Sequence, residues 1–107
     1  MKMNEYIKSL RMKIANAESP KEMAEVSQKL EFAYAVIKGT ESHFRDRLIA
    51  SLIKEKYNAD AQLAILFNEH LKPDEYATYQ AYRVECKVRA DEIIAKLHAE
   101  VEANCNN

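Results

Sequence analysis

The sequence predicts an all-α protein: a single-domain helical bundle of four to five helices with a long C-terminal helix. Three observations favour this class. One glycine and two prolines among 107 residues are too few for a sheet protein rich in turns. Apolar residues recur at intervals of three and four, the spacing of one helix face. The length fits one domain, which we expect to span residues 1–107.

The first two helices are predicted at about 4–17 and 20–38. The first has apolar residues at helical spacing, which are Met3, Ile7, Leu10, Ile14 and Ala17. The start of the second is the clearest local signal in the chain. Ser19 at the cap, Pro20 at the first helical position and Glu22 two residues further on form a capping box. Gly39 fits the left-handed position that ends a helix.

Two further helices are predicted at about 41–57 and 60–71. Between them, Asn58 fits the end of one helix and Asp60 the start of the next. A single continuous helix through Leu71 is the competing interpretation. Residues 63–67 are too few for a membrane span and too apolar for a solvated helix. We therefore expect residues 61–71, which contain this run, to be the most buried part of the protein.

The last helix is predicted at about 73–103 and carries two apolar faces. It begins at Pro73, with Asp74 and Glu75 in the first turn, where the helix dipole favours acids. The core-facing side contains Tyr79, Cys86, Ala90, Ile93, Leu97 and Val101. The opposite side contains Ala77, Ala81, Val84, Val88, Ala95 and Ala99. Small residues let another helix approach closely, from the same chain or a partner subunit. The alternative is that alanine, the best helix former, fills a solvated face.

The sequence shows no pattern typical of catalysis or of a metal site. Phosphate-binding loops need several glycines, and this sequence has one. Cys86 falls on the core-facing side of its helix, where a cysteine is usually a packing residue rather than a nucleophile. His43, His70 and His98 each lack a second ligand one helical turn away. We expect no enzyme activity, no catalytic residue, no cofactor and no bound metal.

Charge and hydropathy favour a cytoplasmic protein. Sixteen lysines and arginines face 17 aspartates and glutamates, so bulk charge attracts neither nucleic acid nor an anionic membrane. The N-terminal segment lacks the continuous apolar core of a signal peptide, and no run reaches the length of a membrane span. We predict a cytoplasmic location and no membrane contact.

The function predicted from these features is protein binding without catalysis. We expect a homodimer, formed through the C-terminal helix, that binds another protein as an adaptor, an assembly factor or a phage or mobile-element inhibitor of a host enzyme. Tyrosine and arginine are enriched at protein interfaces, and the second apolar face adds surface for a partner. The predicted interface residues are Tyr76, Ala77, Tyr79, Ala81, Tyr82, Arg83, Val84, Val88 and Ala95.

A helix-turn-helix-like nucleic-acid-binding protein is the alternative. The very short connection between the second and third helices allows this motif, in which the third helix would read the major groove. The basic N-terminal segment would add phosphate contacts. The residues concerned are Lys8, Arg11, Lys13, Arg45 and Arg47. The third helix mixes acids with its bases and has few side chains that read base edges, so this function ranks second.

Overall fold

A computed structural model describes residues 1–105 and shows five α-helices. The helices are α1 (Met3–Ala15), α2 (Pro20–Lys38), α3 (Glu41–Lys54), α4 (Ala59–Phe67) and α5 (Pro73–Cys105). No strand occurs within those 105 residues. The all-α class and the long C-terminal helix are confirmed.

The ends of α2 follow the predicted local chemistry. Ser19 has an extended backbone, and its hydroxyl accepts a hydrogen bond from the backbone N–H of Glu22 at 3.1 Å. The Glu22 carboxylate accepts in return from the backbone N–H of Glu18 at 3.2 Å, one residue before the cap. Gly39 ends the helix with φ +70°, in the left-handed region that favours glycine. The predicted bounds of α2 are therefore confirmed.

The chain between residues 41 and 72 forms two helices, both shorter than predicted. α3 stops at Lys54, and α4 runs only from Ala59 to Phe67. Asn58 caps the start of α4 rather than the end of α3, because its side-chain oxygen accepts from the backbone N–H of Ala61 at 2.8 Å. The single continuous helix is excluded by this break.

The described residues divide into two compact units, and the first contains residues 1–44 together with the chain from Ile94 onward. Its core cluster consists of Tyr6, Ile7, Leu10, Val26 and Ala33. Partly buried residues packed against that cluster are Met3, Ile14, Leu30, Tyr34, Val101 and Cys105. Burial raises the pKa of the Tyr6 phenol above its ordinary value, and the nearby charge of Glu100 adds to the effect.

The second unit runs from Arg45 to Ile93 and holds the surface described below. Its buried residues are Leu48, Ile49, Leu52, Ile53, Ile65, Tyr79, Cys86 and Ala90. The Arg45 guanidinium donates to both carboxylate oxygens of Asp91, at 2.7 and 3.3 Å, which ties α3 to α5. This contact lowers the pKa of Asp91 below its ordinary value.

Candidate protein-interaction surface

α4 and the turn after it expose four large apolar side chains. These are Leu63, Leu66, Phe67 and Leu71, called the α4 surface from this point on. The exposed fractions of Phe67 and Leu71 are 82% and 80%. The prediction that residues 61–71 form the most buried part of the protein is wrong, since only Ile65 in that segment is buried.

The four side chains follow one another along the chain at helical spacing. Leu66 and Phe67 lie three and four residues after Leu63, and residues so spaced are neighbours on a helix surface. Beyond Phe67, the backbone N–H groups of Leu71 and Lys72 both bond to the carbonyl of Asn68, at 3.0 and 2.8 Å. The turn therefore stays helix-like, and Leu71 lies about one turn beyond Phe67.

The inward side of α4 is held by a polar residue. Gln62 is half-buried, and its side-chain oxygen accepts from the Tyr79 hydroxyl at 2.6 Å. Its side-chain nitrogen donates to the carbonyl of Tyr57 at 2.9 Å. Rotating α4 to bury the α4 surface would break both hydrogen bonds and expose Ile65, which is 5% exposed. The orientation of α4 is thus fixed by specific contacts.

A cluster of tyrosines supports this inward side. The Tyr57 ring meets Tyr79 edge-on at 5.1 Å between centroids and Tyr82 at 5.6 Å. The Tyr82 hydroxyl donates to the carbonyl of Leu52 at 3.2 Å. Lys56 places its ammonium group over the Tyr57 and Tyr82 rings, at 5.6 and 4.9 Å. Aromatic contacts and hydrogen bonds therefore join Tyr57, Tyr79 and Tyr82 in one packed cluster of the second unit.

The residues predicted as a partner interface separate into exposed, half-buried and buried groups. Ala77, Ala81, Val84, Val88 and Ala95 are all exposed on α5. Tyr76, Tyr82 and Arg83 are half-buried. Arg83 lies over the Tyr79 ring at 5.8 Å and donates to the side chain of Gln80 at 3.2 Å. Tyr79 is only 3% exposed, so the structure assigns it to packing inside the unit rather than to an outer surface.

Two of the residues predicted to contact nucleic acid already have partners within the protein. Arg11 donates to the Tyr34 hydroxyl and lies 5.5 Å from the centre of that ring. Arg45 is paired with Asp91, as described above. The other three, Lys8, Lys13 and Arg47, are exposed. Lys8, Arg11 and Lys13 belong to the first unit, whereas Arg45 and Arg47 belong to the second.

Residues 1–105 contain no group of three or more histidine, cysteine, aspartate or glutamate side chains that could hold a metal ion. The imidazole of His98 instead lies 3.1 Å from the Glu41 carboxylate and packs edge-on against Phe32. None of the helices within those residues combines the length and the hydropathy that a membrane span requires.

The α4 surface was missed in the sequence because residues 63–67 are apolar nearly all round. Such a run does not indicate which side faces the core. The one available signal was Gln62, a polar residue beside the run that needs a hydrogen-bond partner when it turns inward. Its partner is Tyr79, seventeen residues further along the chain.

Comparison with protein-family models, with curated proteins and with solved structures found no match to this chain.

Proposed function

We propose that this protein works by binding another protein through the α4 surface, without catalysing a reaction. The observation that carries the proposal is the exposure of Phe67 and Leu71, next to a helix side that is fixed inward. An adaptor, an assembly factor and an inhibitor of another protein all act in this way.

The energetics support a binding role. Burying a leucine or phenylalanine side chain contributes about 1.5–3 kcal/mol relative to leaving it in water. The α4 surface leaves much of this contribution unused, and contiguous exposed apolar surface is typical of sites that bind other molecules. Interface hot spots are often aromatic anchors surrounded by apolar contacts, an arrangement that Phe67 and its leucine neighbours resemble.

Order in the α4 surface adds to this support. The helix is capped by Asn58 and anchored through Gln62, so the backbone that carries Leu63, Leu66 and Phe67 is already helical before a partner binds. A preorganised surface loses less conformational entropy on association than a mobile one.

Site-specific photo-cross-linking in native cells tests the proposal. A photoreactive amino acid would replace Leu71, and in a second strain Phe67. A matched control would replace Ala50, an exposed residue of α3. We expect a discrete protein adduct of the same mass at both α4 surface positions and none at Ala50. Equal labelling at all three positions, or none at any of them, would contradict the proposal.

Self-association through α5 is a second candidate function, favoured by the exposure of Val84 and Val88. These two valines and the exposed alanines Ala77 and Ala81 allow another helix to approach closely. Light scattering over a range of protein concentrations would report a dimer that Val84→Lys and Val88→Lys disrupt. A monomer at every concentration would rule out the homodimer.

A further inference from the structure

We infer that the partner segment bound by the α4 surface is a basic amphipathic helix, with one apolar face and flanking lysines or arginines. The inference rests on the proposed function and adds the chemistry of the occupant. Its basis is the charge around the α4 surface.

The chain that carries the α4 surface is acidic. Residues 58–77 contain four acids and one base, a net charge of −3 with histidine neutral. Asp60 precedes Leu63 by three residues, Glu69 follows Leu66 by three, and Asp74 follows Leu71 by three. A spacing of three residues makes two side chains neighbours on a helix or helical turn. Asp60 and Glu69 are therefore near neighbours of apolar members of the surface, and Asp74 follows Leu71 in the chain, in the first turn of α5.

Ion pairs within the described residues do not neutralise Asp60, Glu69 or Asp74, which are called the acidic rim from this point on. The single base, Lys72, lies 4.0 Å from the Glu75 carboxylate. Within residues 1–105, no lysine, arginine or histidine forms an ion pair with Asp60, Glu69 or Asp74. Helix dipoles favour acids in the first turns, where Asp60 and Asp74 stand. Glu69 lies in the turn between α4 and α5, outside either first turn.

An apolar surface with an acidic rim selects among possible occupants. An amphipathic helix laid on such a surface buries its apolar side chains and places its flanking charges beside the rim. Lysine and arginine at those flanks gain attraction, whereas acids are repelled. Two copies of this chain meeting through the α4 surface would bring two acidic rims together. An anionic membrane would be repelled by the same charges.

A pair of model peptides tests the charge requirement. Each has about 18 residues, roughly five helical turns, with leucine and phenylalanine on one face. One peptide carries lysine at all positions outside this apolar face, and the second peptide carries glutamate at the same positions. Fluorescence anisotropy of the labelled peptides would measure binding to the 107-residue protein. We expect the lysine peptide to bind at least about tenfold more tightly, with an affinity that falls as salt is added.

Two sets of variants separate the contributions of charge and apolar contact. Asp60→Asn, Glu69→Gln and Asp74→Asn together should weaken lysine-peptide binding about fivefold to tenfold, because three attractive charges are lost. A matched control, Asp46→Asn, Glu85→Gln and Glu92→Gln, neutralises three exposed acids outside residues 58–77 and should change little. Phe67→Ser with Leu71→Ser should abolish binding of the peptide.

Several results would overturn the inference. Equal affinity for the two peptides, an unaffected rim variant, or no binding of the lysine peptide would each do so. If both peptides bind equally and the Phe67→Ser, Leu71→Ser variant binds neither, the proposed function stands while the basic partner does not. Phe67-dependent binding to phosphatidylcholine or phosphatidylserine vesicles would make a lipid surface the occupant. A dimer lost on Phe67→Ser would make it a second copy of the chain.

Discussion

Neighbouring residues on α4 have opposite environments, and a few side-chain contacts decide which is which. Ile65 is buried, whereas Phe67, two residues later, is among the most exposed large apolar residues of the protein. Gln62 takes the inward position because Tyr79 and the Tyr57 carbonyl satisfy its amide. The number and size of apolar residues on α4 therefore do not reveal which of them stabilise the fold.

Substitutions at Ile65 and Phe67 should have very different effects on stability. Ile65→Ala removes buried methyl groups and leaves a cavity, so it should lower the free energy of unfolding by about 2–5 kcal/mol. Phe67→Ser changes an exposed side chain and should alter it by no more than about 0.5 kcal/mol. Urea denaturation followed by circular dichroism measures both. If Phe67→Ser lowered the free energy of unfolding as much as Ile65→Ala does, Phe67 rather than Ile65 would lie on the buried side of α4.

At the scale of whole helices, the sequence predicted the elements with strong end signals and misplaced those without them. α2 has a serine cap, a proline at its first position and a glycine after its last, and its predicted bounds are those of the structure. α3 and α4 lack such a combination, and each is shorter than predicted. Asn58 fitted the end of one helix as well as the start of the next, and its hydrogen bond to Ala61 decides for the start.

The tertiary role of each helix was less predictable than its existence. The core-facing side of α5 follows from periodicity, and Tyr79, Cys86, Ala90 and Leu97 are buried as predicted. The orientation of α4 depends on the Gln62–Tyr79 hydrogen bond, a contact between helices that no local pattern encodes. The α4 surface was therefore identified only in the structure, whereas the exposed residues of α5 were predicted from the sequence.

The cap of α4 provides a test at the scale of this helix. Asn58→Ala removes the acceptor for the Ala61 N–H and should lower the free energy of unfolding by about 1 kcal/mol. Asn58→Asp keeps an oxygen in the same place and serves as the control, with a much smaller expected loss. Equal losses in the two variants, measured by urea denaturation, would argue against the cap.

For the molecule as a whole, the Asp91–Arg45 contact predicts how stability depends on pH. The pKa of Asp91 is lowered in the folded protein, so this carboxylate stabilises the fold at pH values above its ordinary pKa. That stabilisation is lost as the pH falls through the lowered pKa and the group becomes protonated. The difference in unfolding free energy between wild type and Asp91→Asn should therefore be largest near neutral pH and vanish in strong acid. A difference that stays constant down to strong acid would exclude the ion pair as its source.

The exposed apolar residues of α4 and those of α5 should differ in partner binding, because we propose that the partner binds the α4 surface. The most direct test is quantitative recovery of co-purifying protein from native cells. It compares wild type with Phe67→Ser, Leu71→Ser and with the matched control Val84→Ser, Val88→Ser, each first shown to be folded. We predict that the affinity for a stoichiometric partner falls at least about tenfold, equivalent to about 1.4 kcal/mol, in the α4 variant, so that its recovery drops, and that recovery is unchanged in the α5 control. Full recovery with the α4 variant would contradict the proposal that the partner binds the α4 surface.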